Sequence, residues 1–82
     1  MEGHQSMKSL KIQLNSIERV KAFVNIISAF DGEFDLGSDR YVVDAKSLMG
    51  IFSLDLNKPL RLDVHSEDEF ESVSQDLESF MI

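Results

Sequence analysis

From Lys8 the chain alternates. Leu10, Ile12 and Leu14 are apolar while Lys11 and Gln13 between them are polar, the period-two pattern of a strand with one wet face. Asn15-Ser16 follows, and Glu18 stands three residues after Asn15, the spacing of a capping box that satisfies the free amides of a helix start. Ile17, Val20, Phe23, Val24, Ile27 and Phe30 then recur at three- and four-residue intervals. They predict an amphipathic helix of about four turns with this stripe in the core. Asp31-Gly32 is expected to close it, the glycine taking a left-handed backbone.

Phe34 and Leu36 alternate with Glu33 and Asp35, Gly37-Ser38-Asp39 reads as a turn, and Tyr41-Val42-Val43 as the returning strand of a hairpin. Residues 46–54 are too rich in apolar groups for a half-wet strand, and Leu48, Ile51 and Phe52 have helical spacing. A short helix is predicted there despite Gly50, which costs about 1 kcal/mol relative to alanine. After the Asn57-Lys58-Pro59 turn, Leu60, Leu62 and Val64 alternate with Arg61, Asp63 and His65 as a fourth strand. Phe70, Val73, Leu77 and Phe80 mark a last helix, with Ser66 as its cap and Glu67, Asp68 and Glu69 in its first turn, where the dipole favours negative charge. The order β-α-β-β-α-β-α defines an α+β fold: three helices on one face of an antiparallel sheet whose other face meets water.

Composition narrows the chemistry. The 82 residues carry 8 Lys and Arg against 15 Asp and Glu, a net charge of −7, and no Cys. Disulfides, thiol nucleophiles and Cys-bearing zinc sites are excluded. Backbone contacts to nucleic acid need clustered positive charge, so no nucleic-acid partner is expected. No apolar run fits a signal peptide or a membrane span, and a cytoplasmic location is expected. Residues 1–6 are polar and patternless, and Met7-Lys8 resembles a second start. They read as a disordered leader or cloning remnant ahead of one domain over residues 7–82.

The element order, together with the stretch Val43-Asp44-Ala45-Lys46-Ser47-Leu48-Met49-Gly50-Ile51-Phe52-Ser53-Leu54, resembles the HPr family, the histidine-containing phosphocarriers of the bacterial sugar phosphotransferase system. The resemblance spans Met7 to Ile82 in order and length, and is specific over residues 43–56. It implies an open-faced β-sandwich with strand order 1-4-2-3. In the family a histidine caps the first helix, with an arginine two residues later. The imidazole accepts phosphate from phosphoenolpyruvate through a partner enzyme, and the arginine neutralises the dianion. Ungapped alignment on Phe23-Val24 places Ser16 at the histidine position and Glu18 at the arginine position. A one-residue slip offers Asn15 or Ile17, never a histidine. His65 lies at the far end of the fourth strand on its polar side, so phosphohistidine chemistry is not expected.

Ser47 matches the serine that a dedicated kinase phosphorylates in similar proteins of Gram-positive bacteria, and is the candidate regulatory phosphosite; plain capping by Asp44 or Ser47 is the alternative role. Lys46 is expected on the solvated surface. On a helix Leu48, Met49 and Phe52 fall at roughly 0°, 100° and 40°, against about 300° and 240° for Ile51 and Leu54. With Ile51, Leu54 and Leu56 inward, Leu48, Met49 and Phe52 are left partly in water. The resemblance implies that enzymes, kinase and regulators dock on this face. The expected partner-binding residues are therefore Leu48, Met49, Phe52 and Ser16.

Other residues read as structural. The acids Glu67, Asp68, Glu69 and Glu71 lack the glycine-bearing loop of a calcium site and read as a solvated helix start. Tyr41 is expected to pack partially, and Asp31, Asp35 and Asp44 have no spacing that builds an acid–base pair. No metal, cofactor or enzyme motif is present. The expected function is an HPr-like binding and regulatory module of the carbon-catabolite-control type. It would have no enzymatic activity, and its protein partners would be a serine kinase, a transcriptional regulator or another phosphotransferase component. Two alternatives stand: a true phosphocarrier with an atypical acceptor such as His65, and a small-molecule-sensing domain, which the missing glycine-rich strand–helix turn disfavours.

Overall fold

A computed structural model of the protein describes residues 8–82; the expected leader over residues 1–6 lies outside them. The elements are β1 (Lys8–Ile12), α1 (Ile17–Ile27), β2 (Phe34–Gly37), β3 (Val42–Asp44), α2 (Leu48–Phe52), β4 (Leu60–Val64) and α3 (Glu67–Asp76), with a 3-10 turn over Glu78–Phe80. The strands form one antiparallel sheet in the order β1-β4-β2-β3. This is the α+β open sandwich that the sequence predicts. β4 is central, pairing Leu62 with Leu10 of β1 on one side and Leu36 of β2 on the other. Leu10, Leu36, Leu62 and their inward neighbours meet Val20, Phe23 and Ile27 of α1, Ile51 of α2 and Val73 of α3 in one core. Phe23 and Phe80 meet edge to face, their ring centres 6.3 Å apart.

The first helix differs from its prediction at both ends. Its cap is Ser16, not Asn15: the Ser16 backbone is extended (φ −154°) and its Oγ accepts the Arg19 N–H at 3.1 Å. Shifting the start by one residue turns Ile17 outward, and it is 61% exposed rather than core. The helix ends at Ile27, a turn early, and tight bonds from Ala29 N–H to the Ile26 carbonyl and from Phe30 N–H to the Ile27 carbonyl finish it. Phe30 still packs, edge-on to Phe34.

Gly32 does not act as a left-handed terminator, for no glycine among the described residues has positive φ. Its small size serves the Glu69 carboxylate instead. Glu69 Oε1 accepts the Gly32 N–H at 3.0 Å, Oε2 accepts the Asp31 N–H at 3.1 Å, and a Cβ on Gly32 would collide with Oε1. Glu69 thus ties α3 to the end of α1 and is no solvated member of the acid cluster. Glu67, Asp68 and Glu71 are exposed. Ser66 holds the cap position of α3 without a side-chain cap bond. Phe80 is buried, although the 3-10 turn, not α3, delivers it. Tyr41 is 61% exposed on the hairpin.

Candidate functional site

Ser47 caps α2, its Oγ accepting the Gly50 N–H at 3.2 Å. The approach to that cap is fixed by Asp44, whose carbonyl accepts the Ser47 N–H and whose Oδ1 accepts the Lys46 N–H, both at 2.9 Å. A Cβ on Gly50 would stand 3.2 Å from Cβ of Val43, so the missing side chain lets the short helix lie close to β3. Lys46 is not a free surface charge. Its Nζ donates to the Phe30 carbonyl at 2.6 Å and lies 5.4 Å from the Phe34 ring centre, fastening this loop to the end of α1.

The two sides of α2 separate sharply. Ile51 is fully buried and Leu54 nearly so, whereas Leu48 is 37%, Met49 80% and Phe52 39% exposed. Single exposed apolar residues are ordinary, but three within five residues of one short helix put an unusual share of its apolar side chains in water. α1 packs against α2, so the α1 start and this triad belong to the same helical layer. Among the described residues no hydrogen bond links the Ser16 side chain to α2, and its Oγ is engaged within α1.

Arg19, which pattern reading passed over, does more at the α1 start than Glu18, which is simply exposed. Its Nε and Nη2 donate to the Gln13 carbonyl at 3.3 and 3.1 Å, and Nη2 also reaches the Ser79 carbonyl at 3.1 Å. The guanidinium carbon lies 4.6 Å from the Phe80 ring centre. The available signal was an arginine within one turn of an expected cap; periodicity weighs only apolar positions.

His65 follows the last residue of β4, at the end of the sheet where Lys8 begins β1. The α1 start follows Ile12, which pairs with Leu60 at the opposite end of β4. The four-residue rise between them is about 13 Å. His65 Nε2 lies 2.7 Å from Asp35 Oδ2, so both are partners on the open face of the sheet. Asp35 and Asp44 are also register partners across β2 and β3, a proximity that their spacing in sequence did not reveal.

No protein-family model matches the chain, and no curated protein matches it. Among solved structures, the crystal structure of HPr-C-His from Thermoanaerobacter tengcongensis matches at a TM-score of 0.73 and 26% identity, covering 88% of each chain. The architecture is therefore that of a four-stranded open-faced sandwich with its helices on one side. More narrowly, it is HPr-like, as residues 43–56 led us to expect. No helix among the described residues is long and apolar enough to cross a membrane.

Proposed function

We propose that this HPr-like chain is a cytoplasmic binding and regulatory module that docks protein partners through Leu48, Met49 and Phe52, with Ser16 at the margin, and relays no phosphoryl group through histidine. The observation that carries the reading is the division of α2, whose apolar side chains are split between a buried face and an exposed one. Candidate partners are a serine kinase, a transcriptional regulator of carbon catabolite control and other phosphotransferase components. Ser47 is the proposed phosphosite: its hydroxyl caps α2 beside the exposed triad, and a phosphate there would add about −1.5 to −2 charges next to the apolar surface.

Met49→Asp tests the docking face. At 80% exposure the change spares the fold, while a charge in the centre of an apolar contact costs about 2–4 kcal/mol of binding. A phosphotransferase component or serine kinase captured by the wild-type chain should be lost by the variant; equal capture of that partner would sink the docking surface. Incubation with phosphoenolpyruvate and the first enzyme of the system addresses the second half of the reading. The expected result is no acid-labile phosphate, and label on His65 would establish the atypical-acceptor alternative in its place.

A further inference from the structure

The open face of the sheet carries a groove of about 590 Å³, within the usual size of small-molecule sites and separate from α2. Lys11, Lys58 and Arg61 line it, three of the chain's eight Lys and Arg residues, with Asp39 as the acid among the lining side chains. In a chain of net charge −7 the groove has the opposite sign from the molecule as a whole.

The sheet register explains the gathering. Lys11 and Arg61 are direct partners across β1 and β4, an arrangement in which like charges repel. On the other side of Arg61 stands Gly37, where a Cβ would lie 3.0 Å from Arg61 Nη2. The row is cationic on two strands and bare on the third. Arg61 is aimed by Asp63, whose Oδ1 accepts from Arg61 Nε at 2.9 Å and from Ser9 Oγ at 2.6 Å. Asp63 is nearly buried, so this anchor is fixed. The Arg61 Nη groups and the ammonium groups of Lys11 and Lys58 have no acceptor among the described residues. Ser38 Oγ accepts the Arg40 and Tyr41 N–H groups and keeps its own proton to donate.

We propose that this groove binds a small organic phosphate monoester. The free edge of the Arg61 fork and the two ammonium groups meet the dianion, Ser38 donates a further hydrogen bond, and Pro59 borders the organic body. Two free ammonium groups beside the unpaired edge of the Asp63-anchored guanidinium suit a doubly charged phosphate better than a single carboxylate, and a planar guanidinium matches phosphate oxygens in pairs.

Titration of ribose 5-phosphate into the isotope-labelled full chain, read at the backbone amides of Lys11, Gly37, Ser38 and Arg61, tests this. Saturable shifts are expected with a Kd of about 1 mM or tighter. The exposed pair of changes Lys11→Ala with Lys58→Ala should weaken binding about tenfold or more while leaving the α3 amides in place. Ribose itself should shift none of the four. Shifts that fail to saturate by about 10 mM would overturn the proposal. So would equal affinity in the double variant, or inorganic phosphate or acetate binding as tightly as the ester, which would mean an adventitious ion only.

Discussion

Phe23→Ala leaves the chain at the edge of unfolding at room temperature. Phe23 is completely buried, between the sheet and the Phe80 ring it meets edge-on. Removing such a ring costs about 3–5 kcal/mol, part lost transfer energy and part cavity. A domain of this size, with no disulfide to assist it, has about 5 kcal/mol in total. Chemical denaturation should therefore show most or all of the native baseline gone, and Phe23→Leu, which refills much of the volume, should recover more than half of the loss. A midpoint within a few tenths of a molar of wild type for Phe23→Ala would mean that Phe23 is not at the centre of the core.

Arg19→Ala is expected to destabilise by about 2–3 kcal/mol, since it removes charge-assisted bonds to two carbonyls and a cation stacked on Phe80. At about 4–8 °C per kcal/mol for a chain this short, thermal melting should drop by roughly 10–20 °C. Arg19→Lys should restore little of it. A single ammonium cannot span the Gln13 and Ser79 carbonyls that the planar fork reaches together. Melting of Arg19→Lys at the wild-type temperature would show that charge alone, not the fork, holds the α1 entrance to the C-terminal turn.

The strands were legible because their signal is local. Leu10-Ile12, Phe34-Leu36 and Leu60-Leu62-Val64 alternate as half-wet strands do, and each occupies the inner face of the sheet. The division of α2 was also readable, because five residues of helix cannot turn Leu48, Met49, Phe52 and Ile51 toward one sheet. Pairing was not. β1 and β4 are joined by residues far apart in the chain, and strand order came only through the resemblance over residues 43–56. Three errors share one cause: Lys46 as surface, Gly32 as terminator and Glu69 as solvated are expectations set by near neighbours alone. Their real partners were fixed by the fold, at Phe30 for Lys46 and across α3 for Gly32. Arg19 escaped notice because carbonyl acceptors leave no mark in the amino-acid sequence. The cationic groove is invisible for a related reason, since Lys11 and Arg61 meet only in the sheet.

The central place of β4 also bears on how the polypeptide emerges from the ribosome. Ser9 finds its Asp63 partner 54 positions later, so β1 and β2 have nothing between them until β4 has been translated. Long-range pairing of this kind is slow and leaves intermediate lengths without a nucleus. Nascent chains stopped before Leu60 should remain protease-sensitive, and folding begins only when nearly the whole sandwich has left the exit tunnel.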